Sequence, residues 1–181
     1  LFEYLPEHAN DKSVEIRTAL ADGDIDKTLE VTVARYPAIL ERNEDFNLRL
    51  RGQKLVEMIR ENASLQKSST GIGLQLSEPK NDGAEYLRQT HLTISYGMSL
   101  QNMFRNVSGE REKYLEDIIS LLAYENPFDS QLGPQLFHPS RRAKLAEELY
   151  SEIKQHSERH LDDSCLSDDS DVSRMGEKRI L

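Results

Sequence analysis

Between Arg17 and Arg60 the apolar residues recur at helical spacing in three short runs, and each run is closed by a residue that stops it. Gly23 supplies the left-handed backbone that ends the first helix, and Asp24 can cap the second. Ile25, Leu29, Val33 and Tyr36 then repeat on one side. Pro37 suits a first-turn position, where its missing N–H would have been unpaired anyway. A third run places Gly52, Leu55, Val56 and Ile59 on one stripe, with Gly52 letting a neighbouring helix approach. The stretch predicts short helices stacked by their apolar faces, and it contains no group suited to chemistry.

The rest of the chain continues the pattern. Leu1–Asp11, with Pro6, reads as a connection from something upstream, and residues 12–61 form the first helical unit. From Asn62 to Gly83 the periodicity stops among Ser, Gly and Pro residues, which predicts a flexible linker. Ala84–Val107 returns to helix with two stripes, one of Leu87, His91, Ile94 and Met98, the other of Leu92, Tyr96, Leu100 and Phe104. A helix apolar on two sides is expected to be buried between neighbours. Tyr114, Ile118, Leu121 and Leu122 mark a further helix that Pro127 cannot continue. Asp129–His138 is a connector, and Pro139 opens a last helix carrying Leu145, Leu149 and Ile153. Residues 84–156 make the second unit, and 157–181 an acidic, Ser-rich tail expected to be disordered. With no sustained period-two alternation, the expected fold is all-α, an elongated bundle of stacked helical hairpins.

Composition narrows the function. A net charge of −9 argues against a nucleic-acid binder, which needs a basic face to neutralise phosphates. No apolar run approaches the length of a bilayer span, so no membrane role is expected. The single cysteine, Cys165, excludes an internal disulfide framework and a Cys-based zinc finger. A compact, soluble, intracellular body is the expectation, and the sequons at Asn62 and Asn106 carry little weight in it.

Candidate chemical groups are sparse. His156 and His160 would share a face if the last helix persists, but Ser-Glu-Arg separates them and no third ligand from another element is evident, so no metal is expected. His91 suits a hydrogen-bonded core or interface histidine. The serines lack a nucleophile setting, and Gly71-Ile72-Gly73 lacks the strand and lysine of a phosphate loop. Tyr86, Tyr96, Tyr114 and Tyr124 read as core or interface residues. Ser167 and Ser170, among aspartates, fit either an acidophilic kinase or a merely solubilising tail. No catalytic residue, cofactor or small-molecule substrate is expected.

The order of these elements resembles the CTLH domain found C-terminal to LisH motifs. Gly23-Asp24-Ile25, Pro37–Asn43 and Arg51–Arg60, with Gln53, follow that family's pattern. A second match, Leu121-Leu122-Ala123-Tyr124-Glu125-Asn126-Pro127 continuing through Arg141–Ile153, resembles the CRA segment. Phe128 and the Ser130-x-x-Gly133 spacing lean toward the RanBPM-like branch, the SPRY–LisH–CTLH–CRA scaffolds of GID/CTLH ubiquitin ligases. The resemblance implies a non-catalytic scaffold, cytoplasmic and nuclear, that binds LisH–CTLH–CRA sister subunits, with self-association a further option. Within that reading the expected docking surface is Leu121, Leu122, Tyr124, Pro127 and Phe128 with Leu145, Leu149 and Ile153. A core role for the same residues competes with it. The alternative function is a helical adaptor in trafficking, the cytoskeleton or co-repression.

Overall fold

The computed structural model describes residues 7–70 and 82–165. Among them every regular element is helical. Helix α1 (Glu7–Asp22) turns at Gly23 into α2 (Ile25–Arg35), followed by the short α3 (Pro37–Arg42) and the 27-residue α4 (Glu44–Thr70). Then come α5 (Asp82–Met103), α6 (Glu110–Ser120), two single 3₁₀ turns (Leu121–Ala123 and Pro127–Asp129), α7 (Gly133–Leu136) and α8 (Ser140–Cys165).

Local chemistry sets these boundaries. Gly23 has φ +96°, and Asp24 Oδ1 accepts from Lys27 N at 3.1 Å, capping α2. Pro37 occupies the first turn of α3. Asn43 caps α4, its Oδ1 accepting from Phe46 N at 3.0 Å. The buried side of α2 keeps Ile25 and Leu29 of the stripe expected from spacing but then departs from it: Thr28 and Thr32 are buried as well, while Val33 is exposed. Both threonine hydroxyls donate to the carbonyl four residues back, at 2.8 and 2.7 Å, so they enter the core with their polar group satisfied.

Helix α4 is the spine. Its Phe46 and Leu50 join Ile16, Leu20, Leu29, Ile39, Leu145 and Leu149 in one core; its Leu48, Leu55, Val56 and Ile59 join Leu100, Phe104, Leu115, Ile118 and Leu121 in another. Helix α6 comes so close that a Cβ on Gly52 would lie 2.9 Å from Ile118 Cδ1. Across the first core α1 lies along α8, rimmed by an Arg17–Glu147 ion pair at 2.8 Å. The two stretches of sequence read as separate units therefore share a core.

Three expectations are corrected here. Helix α1 already begins at Glu7, inside the stretch read as a connection. Helix α4 persists to Thr70 and α5 starts at Asp82, so the flanks of the expected linker are helical; residues 71–81 lie outside the described residues. A polar composition stops the apolar stripe without stopping a helix that a packed neighbour already holds. Helix α8 likewise runs to Cys165, past the tail boundary at Ser157.

Candidate protein-interaction site

The motif residues converge on a half-buried polar seam between α4 and the start of α8. Gln53, fully buried, donates Nε2 to Glu57 Oε1 at 2.8 Å and accepts on Oε1 from Arg141 Nε at 3.4 Å. Arg141 also donates to the Tyr114 hydroxyl at 2.9 Å and lies over that ring. Burial raises the Tyr114 phenol above its ordinary value, which keeps the hydroxyl protonated and able to donate to Arg49 O. Arg142 places Nη1 3.7 Å from Glu57 and 3.2 Å from the Asp22 carbonyl at the end of α1. A Cβ on Gly23 would sit 2.2 Å from that same nitrogen. Gly23 thus serves the turn and makes room for the guanidinium. Gly23→Ala is expected to cost about 1–3 kcal/mol, through the strained φ and the displaced arginine, read as a lower urea midpoint.

The residues expected to dock a partner divide sharply. Leu145, Leu149 and Ile153 are buried against α1, α2 and α4, and Leu121 is fully buried in the other core. That corrects the docking assignment for these four: a stripe already covered by the chain's own helices offers no surface. Pro127 is buried as well, within a turn that bonds to itself. Ser130 Oγ donates to Pro127 O at 2.8 Å and accepts from Gly133 N at 2.9 Å. Half-buried Phe128 stacks tilted on Phe137 at 4.6 Å, and Arg60 donates to the Phe137 carbonyl. Leu122 is half-buried; Tyr124 alone of the set is exposed. Ser167 and Ser170 lie outside the described residues.

The apolar surface lies on α5 instead. Leu87, Ile94 and Met98 are 68, 45 and 60 % exposed, and His91 between them is exposed too. The second stripe behaves as expected only at its end, where Leu100 and Phe104 are buried; Leu92 is open. Helix α5 packs chiefly along α4 as the outer arm of a hairpin, with Gly97 also facing Leu122, and among the described residues its Leu87–Met98 side stays bare. From Tyr86 to Met103 its one charged residue is Arg88, which is ion-paired to Glu85, in a chain that is 30% charged. At its base a groove of about 90 Å³ brings Ile94, Tyr86 and Ile59 together with Leu122 and Tyr124. Spacing alone finds this stripe but not its exposure, which depends on how many neighbours the helix has. The lack of acidic residues was the available signal.

Elsewhere, His156 meets the Tyr36 ring edge-on at 5.9 Å, and the side chain of His160 is outside the described residues. Among the described residues no cluster of His, Cys, Asp and Glu could hold a metal, and no helix is long and apolar enough to cross a membrane.

The described helices thus form a body braced by a half-buried polar seam, with an exposed apolar stripe along α5. The family described as the CTLH/CRA C-terminal to LisH motif domain matches residues 11–167, and the chain belongs to it. It is 29% identical over 143 residues to the Glucose-induced degradation protein 8 homolog of Nematostella vectensis, covering 79% of this chain and 52% of that protein. To the protein of the same name in Dictyostelium discoideum it is 30% identical over 141 residues, covering 76% and 49%. The chain thus spans about half the length of the curated relatives it matches. No solved structure matches it significantly.

Proposed function

We propose that this chain is a non-catalytic scaffold of a GID/CTLH-type ubiquitin ligase, working in the cytoplasm and nucleus, and that it docks a LisH–CTLH–CRA sister subunit through α5. The carrying observation is the uncharged, exposed Leu87–Ile94–Met98 face, continued by Tyr124. An apolar stripe at this spacing is the kind of surface an amphipathic partner helix covers. Kinship to the Glucose-induced degradation protein 8 homologues supports the choice of ligase. Within the family, Phe128 and the Ser130–Gly133 spacing support a RanBPM-like branch. The mechanism is geometric: a target and a charged conjugating enzyme are held on one assembly, raising effective concentration without bond-making by this chain.

The test is affinity purification with Leu87→Glu, Ile94→Glu and Met98→Glu combined. Exposed substitutions leave stability nearly unchanged, within about 0.5 kcal/mol each. Wild type should recover RING-bearing sister subunits and the triple variant should lose them. A folded triple variant that still recovers them sinks the assigned surface. A wild-type chain that recovers none sinks the ligase reading and favours an adaptor elsewhere.

A further inference from the structure

The first turns of α8 wall an open groove of about 390 Å³ that is flanked by Arg49 of α4 and by α7. Its ionisable lining is Arg49, His138, Arg141 and Lys144, with no carboxylate, in a chain of net charge −9.

The cations are not equivalent. Arg49 is already neutralised, bound through two nitrogens to Glu148 at 2.7 and 2.5 Å and through Nε to Asp45 at 2.8 Å. Arg141 is held by neutral groups, the Tyr114 hydroxyl and Gln53 Oε1, so its charge is fixed in place and, among the described residues, unpaired with any carboxylate. Exposed Lys144 makes no ion pair among the described residues. Both sit in the first two turns of a 26-residue helix whose first turn carries no acidic residue. The helix dipole favours acids there and disfavours cations, so neither the seam contacts of Arg141 nor anything bonded to Lys144 offsets the positive charge at this end of the helix among the described residues. A bound anion would answer the dipole and both charges together.

We propose that this groove binds an acidic peptide segment, and that its occupant is Ser167–Asp171 of a second copy of the chain. That stretch, Ser-Asp-Asp-Ser-Asp, sets three carboxylates in five residues against these two cations. The same copy cannot supply it. Arg141 lies about 36 Å of helix before Cys165, whereas six extended residues carry Asp171 about 21 Å beyond Cys165. Phosphate on Ser167 and Ser170 would deepen the charge of the segment and tighten the contact. This inference stands apart from the α5 docking face and does not depend on it.

The test is fluorescence anisotropy of a labelled peptide of residues 166–174 titrated with the full chain. Saturable binding is expected, tighter when Ser167 and Ser170 are phosphorylated and weaker as salt rises. Lys144→Glu should weaken it at least about tenfold, equivalent to about 1.4 kcal/mol. Lys154→Glu, exposed further along α8 with the same change in net charge, should leave it within about twofold. Absence of binding, or equal losses in the two variants, overturns the site. Equal binding of a peptide with the same residues in shuffled order overturns the assignment of the occupant.

Discussion

Leu149→Asp is expected to unfold the chain, with the helical circular-dichroism signal at 222 nm lost at 25 °C. Leu149 is fully buried between α1, α2 and α4, and among the described residues no cation reaches into that core to meet a carboxylate. An unpaired buried charge costs several kcal/mol, comparable to the whole stability of a domain of this size. The milder Leu149→Ala should remain folded but lose about 2–5 kcal/mol through the cavity it leaves. A folded Leu149→Asp chain of unchanged melting temperature would show that the stripe faces outward, against the packing described above.

Gly133→Ala is expected to lower the melting temperature by roughly 4–10 °C, from about 2–3 kcal/mol of lost stability. A Cβ at Gly133 would lie 2.7 Å from the Pro127 carbonyl oxygen and 2.8 Å from that of Phe128. Those are backbone atoms, and they belong to a turn already tied by Ser130. Relief therefore requires opening the turn, which in turn loosens Phe128 from Phe137 and Arg60 from the Phe137 carbonyl. Gly52→Ala makes a useful contrast. The atoms it would press, Ile118 Cδ1 and the Tyr114 hydroxyl, belong to side chains rather than to backbone, and alanine favours the helix, so a smaller loss is expected there. An unchanged melting temperature for Gly133→Ala would contradict this account of the turn.

These two results bear on what one strand of sequence conveys. The helices could be read from it, because an apolar stripe is a local pattern and Gly23, Asp24, Pro37 and Asn43 punctuate it chemically. Which stripes are core could not. Leu145–Leu149–Ile153 and Leu87–Ile94–Met98 look alike on paper, yet one lies under α1 and the other lies bare. The difference is the number of neighbours, a property of the whole fold. Arg141 and Arg142 stand in the sequence only as the start of the Arg141–Ile153 match, with no role of their own, for a related reason. Adjacent arginines opening a helix read as solvated charge, whereas one reaches Glu57 and the end of α1 and the other reaches Tyr114. The Leu121–Gly133 motif reads as a docking surface in the sequence, whereas the structure buries Leu121 and Pro127 and leaves Tyr124 open. Leu121, Pro127, Ser130 and Gly133 close a turn, and of the residues expected to dock a partner Tyr124 alone stays open.

The pairing of α1 with α8 has a consequence for biosynthesis. Ile16 leaves the ribosome long before Ile153, the residue that completes the wall it packs against. At typical elongation rates of about 5–20 residues per second, Ile16 and Leu20 wait on the order of 10 s without their final cover. During that interval the nascent chain presents aliphatic surface that the finished protein hides. Emergence of α8, rather than of the first helices, is then the moment at which the first core closes, and a premature stop before Leu145 yields a product whose N-terminal helix has no resting place.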